Sequence, residues 1–188
     1  NEMLKCGGPT LTKALSKLFN SLFLSKKYPD SWKLSYITPI HKSGSEDDPQ
    51  NYRGIAVSNC VSKMYNKILN DRIYDFVSKN NKWAANQNGF MKKRQTADNL
   101  FVLQTLFQKY VDNNTKLYVT FIDFRKYFDT IDRDLLKYRL LSMGINGQMY
   151  HTIKSMYDNT RYCIKTDALS ESCSTDCGVK QGCNLSPT

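Results

Sequence analysis

The run Leu117–Ile122 constrains the fold more than any other feature, because it is short, uninterrupted and mostly β-branched or aromatic. Such a run is typical of a strand that is buried in the middle of a sheet. It ends at Asp123, so the predicted strand would fix this carboxylate at its carboxyl end. A carboxylate in that position suits a divalent cation, with the adjoining Phe124 carbonyl as a second oxygen donor. A solvated aspartate that begins a turn is the open alternative.

Amphipathic helices and short strands alternate around this run. Predicted helices cover residues 10–25 and 59–78, a stretch from Thr96 to Tyr110, and residues 133–143 and 147–158. Predicted strands cover residues 34–40, 53–57, 161–166 and about 175–180, and a further helix would begin at Ser186 and Pro187. The predicted class is therefore α+β, with a small sheet backed by several helices.

The chain carries a formal net charge of +10, from 27 Lys and Arg against 17 Asp and Glu. Such an excess indicates an acidic partner such as nucleic acid, with simple solubility as the open alternative. No apolar run approaches the roughly 20 residues that span a bilayer, so we expect no membrane partner. Three of the six cysteines are closely spaced, at Cys173, Cys177 and Cys183, but no histidine lies near them. We therefore expect reduced thiols and no zinc.

Two further clusters contain residue types that bind nucleotides. Lys42 and Arg53 flank the turn of the predicted hairpin, where two cations could clamp a polyphosphate. In the segment Gly178–Pro187, a glycine beside Gln181 lets the backbone approach a flat partner, and the glutamine amide can bond a base or sugar. Surface charge and a simple glycine turn are the open alternatives.

Taken in order along the chain, these clusters resemble the reverse transcriptase domain of non-long-terminal-repeat (non-LTR, LINE-like) retrotransposons. The resemblance covers nearly the whole chain. Its blocks are Tyr28–Lys42, Asn51–Ile55 with the helix that follows, Gln87–Met91 with Thr96–Asp98, the Asp123 segment as motif A, and Gly178–Pro187 as motif B. Matches in this order are a far more specific signal than any one of them alone.

The resemblance implies a right-hand polymerase fold, with a helical extension in residues 1–30 and the fingers and a partial palm in residues 31–188. Motif A would occupy residues 116–143, and motif B residues 175–188. The implied activity is that of an RNA-directed DNA polymerase, in which two Mg²⁺ ions, or Mn²⁺ in their place, assist nucleotidyl transfer. The implied partners are an RNA template, a DNA primer and dNTPs, with an endonuclease domain elsewhere in a parent polyprotein.

The resemblance also implies a role for each matched residue. These roles are metal binding for Asp123 and the Phe124 carbonyl, the steric gate against a ribose 2′-hydroxyl for Phe128, triphosphate contacts for Lys42 and Arg53, and the nucleotide side for Gln181 and Gly182. The family implies an intracellular location, nuclear or cytoplasmic.

Two departures from the family pattern affect the expected activity. Tyr127 stands where the family usually has a small residue, and the sequence stops before the hairpin that would supply the paired catalytic aspartates. We therefore expect this chain alone to be inactive and to bind nucleic acid weakly, in a salt-sensitive manner. The alternatives are a noncatalytic RNA-binding module that keeps the fold, and a relic that does not fold stably.

Overall fold

The computed structural model describes residues 2–187, whose regular elements form an α+β arrangement around a small sheet. The helices are α1 (Glu2–Cys6), α2 (Gly8–Ser25), α3 (Asp30–Lys33), α4 (Cys60–Lys79), α5 (Thr96–Asp112), α6 (Tyr127–Thr130), α7 (Arg133–Ser142) and α8 (Gly147–Tyr157). The strands are β1 (Leu34–His41), β2 (Tyr52–Val57), β3 (Arg161–Ile164) and β4 (Cys173–Ser174), and a short 3-10 turn covers Pro49–Asn51. The predicted α+β class is confirmed.

The sheet has the strand order β2-β1-β3-β4. β1 and β2 form the predicted antiparallel hairpin, and its register pairs Ile40 with Arg53. The Asp48 carboxylate accepts a hydrogen bond of 2.9 Å from the Gln50 N–H and so starts the 3-10 turn that leads into β2. β3 runs parallel to β1, and β4 is antiparallel to β3. The hairpin therefore lies at one edge of the sheet, and β3 pairs with its strand β1 and carries β4 at the opposite edge.

Helix α4 provides the centre of the apolar core. Tyr65, Leu69, Ile73 and Val77 recur at intervals of one helical turn and are all buried. Asn59 caps the helix, because its side-chain oxygen accepts hydrogen bonds from the N–H groups of the first turn. Burial of each large apolar side chain contributes roughly 1.5–3 kcal/mol. Local signals thus predict this helix correctly.

The N-terminal helix α2 packs on the same core. Its Phe19 is buried with the ring centroid 5.3 Å from that of Tyr65, and α2 also contacts α8. Tyr28 and Trp32, which follow α2, extend this aromatic cluster. No helix within residues 2–187 is both long and apolar enough to cross a bilayer.

The predicted central strand at Leu117–Ile122 is wrong. Residues 115–124 form neither helix nor strand, and the side chains of Tyr118 and Phe121 are 87% and 81% exposed. Within residues 2–187, no strand pairs with this run, and β-branched and aromatic residues form a strand only where a neighbouring strand satisfies their backbone groups. Helix α5, which precedes the run, likewise has no buried residue.

The predicted strand at about 175–180 is also wrong, because these residues form a loop after the two-residue strand β4. The N–H groups of this loop bond to separate parts of the chain, from Thr175 to the Thr160 carbonyl and from Gly178 and Val179 to the Ile131 and Phe128 carbonyls, and not to one neighbouring strand. Ser186 and Pro187 lie in a turn, and the helix predicted to begin there would lie outside the described residues.

Candidate functional site

The loop Gly178–Cys183, called here the 178–183 loop, lies directly against α6. The Val179 N–H donates to the Phe128 carbonyl at 2.7 Å, and the Gly178 N–H donates to the Ile131 carbonyl at 2.8 Å. Gly178 has a φ of +76°, and a Cβ at this position would lie 2.7 Å from the Asp129 carbonyl oxygen. Only glycine fits such a contact, so the sequence Gly178-Val179 holds the two predicted motifs together.

The far end of the same loop lies on β2. The Ala56 N–H donates to the Gln181 carbonyl at 2.9 Å. Gly182 has a φ of +104°, and a Cβ there would lie 3.0 Å from the Ala56 carbonyl oxygen. The loop therefore bridges α6 and the hairpin, with the Phe128 main chain bonded to its beginning and Gln181 and Gly182 lying on β2 at its far end.

A buried lysine fixes the middle of the loop. Lys180 is only 3% exposed, and its Nζ donates to the Trp32 and Lys33 carbonyls, each at 3.2 Å. These carbonyls end α3, where a cation interacts favourably with the helix dipole. Burial lowers the pKa of the Lys180 ammonium to about 8. Nothing in the sequence distinguishes Lys180 from a surface lysine.

A buried arginine fixes the beginning of the loop. The Arg133 Nε donates to the Gly178 carbonyl at 2.9 Å, and Nη1 donates to the Tyr157 and Thr175 carbonyls. Arg133 is the first residue of α7, where a cation opposes the helix dipole. That unfavourable position is a sequence signal for a tertiary role. Among the ion pairs of residues 2–187, neither Arg133 nor Lys180 has a carboxylate partner.

The two cations predicted to contact a triphosphate are on the hairpin. Arg53 lies on β2, and Lys42 directly follows β1, where its N–H donates to the Asn51 carbonyl at 2.8 Å. Both side chains are exposed. Arg125 donates to the Gln50 side chain, and this bond places the Asp123 segment beside the turn of the same hairpin.

Asp123 lies in the exposed segment before α6, and the Phe124 side chain is also exposed. Residues 2–187 contain no group of three or more His, Cys, Asp or Glu side chains that could hold a metal ion. The nearby Asp132 has a different function, because it caps α7 and accepts from the Asp134 and Leu135 N–H groups. These backbone hydrogen bonds lower the pKa of the Asp132 carboxyl.

Phe128 is half-buried, and its ring meets that of Phe90 edge-to-face at 6.3 Å. It also lines an apolar cavity of about 310 Å³ together with α4, α7 and α8 residues such as Val77 and Leu140. Tyr127 is more exposed and stacks obliquely on Phe124, with 5.6 Å between ring centroids. The Tyr127 ring therefore lies beside the Asp123 segment, at the rim of the same cavity.

Comparison with known proteins gives a consistent result. A family model described as reverse transcriptase (RNA-dependent DNA polymerase) matches residues 40–188. The chain is similar to the probable RNA-directed DNA polymerases of transposon BS and of transposon X-element from Drosophila melanogaster, with identities of 25% over 175 residues and 26% over 176 residues. Each match covers 92% of this chain and 19% of the relative. The chain is also 24% identical over 172 residues to a Pol polyprotein from the R2DM element of the same fly, covering 91% of the chain and 16% of the relative.

Proposed function

This chain belongs to the reverse transcriptase family, as its sequence motifs predict, and we propose that it forms the nucleotide-binding part of an RNA-directed DNA polymerase of a non-LTR retrotransposon. It spans about a fifth of the length of the curated relatives it matches. The reaction of the parent protein would be templated transfer of nucleotides to a DNA primer on an RNA template. An endonuclease domain would lie elsewhere in that parent.

The observation that carries the proposal is the position of the 178–183 loop between α6 and β2. A dNTP bound beside this loop would meet Gln181 and Gly182 on one side and Phe128 on another. The exposed Lys42 and Arg53 side chains on the hairpin supply the cations that its triphosphate requires. In this proposal the hairpin belongs to the fingers, and α6 and the loop belong to a partial palm.

The described residues supply only part of the metal site that the proposed reaction requires. Asp123 and the Phe124 carbonyl are oxygen donors of the right kind for Mg²⁺ or Mn²⁺, but one exposed carboxylate does not satisfy a hard divalent ion. Within the described residues, no further carboxylates join them. We therefore propose that Asp123 binds metal only with carboxylates from a longer parent chain, and that these 188 residues alone do not polymerise.

A noncatalytic RNA-binding module is the second candidate. The observations that favour it are the exposed, unpaired segment around Asp123 and the Tyr127 ring beside it. Such a module would retain the net charge of +10, and its affinity for RNA would be the same with and without a metal chelator.

Primer extension by the longest open reading frame that contains this chain separates the two candidates. Asp123→Ala should reduce DNA synthesis on an RNA template by at least a hundredfold, since the metal would lose a ligand. Asp134→Ala is the matched control, because its exposed carboxylate pairs only with Lys137 among residues 2–187. Equal activity in both variants would refute the assignment of Asp123. RNA binding without any extension would favour the noncatalytic module.

A further inference from the structure

The loop between α4 and α5 contains a polar cleft that the proposed catalytic roles do not use. It is lined by residues from Asn88 to Asn99, has a volume of about 500 Å³, and is called here the 88–99 cleft. Phe90 forms part of its wall and is 69% exposed, with a φ of +61°. A bulky residue adopts this left-handed backbone at a cost of roughly 1–2 kcal/mol, so the surrounding loop holds the Phe90 ring at the surface.

Hydrogen bonds between side chains organise the polar part of the cleft. The Arg94 Nη1 donates to Asn88 Oδ1 at 2.7 Å, and the Asn88 side-chain amide in turn donates to Asn99 Oδ1. This chain of bonds leaves the Asn99 amide N–H groups and most of the Arg94 guanidinium without a protein partner among residues 2–187. Amide groups fixed in this way can bond the edge of a nucleobase, which presents both donors and acceptors.

The charge around the cleft is positive. Residues 80–95 contain Lys82, Lys92, Lys93 and Arg94 and no acidic residue. The Lys92 ammonium already contacts the Asp71 carboxylate and the Tyr74 ring, so Lys93 and Arg94 are the cations here that could bind an anion. Asp98, the acid nearest the cleft, accepts a hydrogen bond from the Gln95 N–H and so caps α5.

We propose that the 88–99 cleft binds one unpaired nucleotide of a single-stranded nucleic acid. The Phe90 ring stacks on the base, the amides of Asn88 and Asn99 contact its edge, and Lys93 and Arg94 contact the flanking phosphates. An exposed aromatic ring within a basic surface is the usual means of binding single strands, since each base offers a flat face. A paired base cannot use the cleft in this way, because its faces are already stacked in the duplex.

The position of the cleft suggests which strand it holds. Phe90 contacts Phe128, the candidate steric gate, so the bound nucleotide would lie next to the nucleotide-binding region. The identification of the bound nucleotide as part of the template strand rests on the proposed function. The binding of a single strand by the cleft does not depend on the proposed function.

The test measures binding of a fluorescein-labelled 12-nucleotide RNA, alone and annealed to its complement, by the purified 188-residue chain. Phe90→Leu should weaken single-strand binding about tenfold and change duplex binding less than twofold. The matched control is Phe101→Leu on α5, where the ring is 70% exposed and lies outside the cleft. Urea unfolding of each variant checks that the fold is retained.

Arg94→Gln provides a second, independent variant. It should reduce the dependence of log affinity on log salt concentration by about 0.7 for the single strand, the value for one phosphate contact. Equal binding by the Phe90 and Phe101 variants, or equal losses for single strand and duplex, would overturn the proposal. Because the assay involves no DNA synthesis, failure of the primer-extension experiment leaves its outcome unaffected.

Discussion

Substitution of Gly178 by alanine tests the contact that joins the 178–183 loop to α6. The new methyl group would lie 2.7 Å from the Asp129 carbonyl oxygen, and a φ of +76° is unfavourable for any residue with a Cβ. The left-handed conformation costs about 1–2 kcal/mol. Relief of the clash by backbone movement costs a further 1–3 kcal/mol or so, because both partners are main chain. We expect Gly178→Ala to lower the free energy of unfolding by about 2–5 kcal/mol in total.

Gly147→Ala is the matched control. Gly147 also has a positive φ, of +57°, but a Cβ there would meet nothing within 4 Å. It should therefore lose only the conformational part, about 1–2 kcal/mol. Urea unfolding followed by far-ultraviolet circular dichroism measures both variants. With a urea m-value of about 2 kcal/mol/M, the midpoints should fall by about 1–2.5 M for Gly178→Ala and by less than about 1 M for the control. Equal midpoints would show that the loop does not press against α6.

Two further predictions concern the buried cations. Lys180 has a folded-state pKa of about 8, below its ordinary 10.5, so the unfolded chain binds more protons between these values and stability rises with pH there. Between pH 7.5 and 9.5, the free energy of unfolding of the wild type should increase by about 2 kcal/mol relative to that of Lys180→Met. Parallel pH profiles of the two proteins would contradict the burial of this charge. Arg133→Met removes the side-chain donor from the carbonyls of Gly178, Thr175 and Tyr157, of which Tyr157 keeps the Thr160 hydroxyl, and should cost about 2–4 kcal/mol by urea unfolding. Arg139→Met, at an exposed position of the same helix, should change stability by less than about 0.5 kcal/mol, and similar losses in the two variants would refute the role of Arg133.

The parts of the fold that depend on local signals are predictable from the sequence. Helix α4 combines a side-chain cap at Asn59 with a clear apolar period, and the β1–β2 hairpin has turn residues between two alternating runs. The run Leu117–Ile122 has equally strong strand propensity but forms no strand, because pairing requires a partner that no local pattern specifies.

The candidate site divides in the same way. The glycines at 178 and 182 and the glutamine between them are visible as a motif, and the structure brings them next to α6 and β2. The residues that hold this loop are less visible, since Lys180 and Arg133 act through carbonyls that are distant in sequence. The position of Arg133 at the start of a helix indicates a tertiary role, but residue type and spacing do not identify a remote main-chain partner.

The anchoring of Lys180 on the end of α3 has a consequence for anyone who excises this domain. The family match starts at residue 40, inside β1, whereas the carbonyls that bind Lys180 belong to Trp32 and Lys33. Tyr28, farther upstream, donates to Asn66 at 3.1 Å, and Asn66 donates to Cys183 Sγ at 3.3 Å. A protein trimmed to the family boundary would lose all but two residues of its eight-residue strand β1 and both supports of the loop. The contacts that hold the loop therefore reach back to Tyr28, upstream of the boundary of the family model, so we expect a stable fragment to begin before Tyr28.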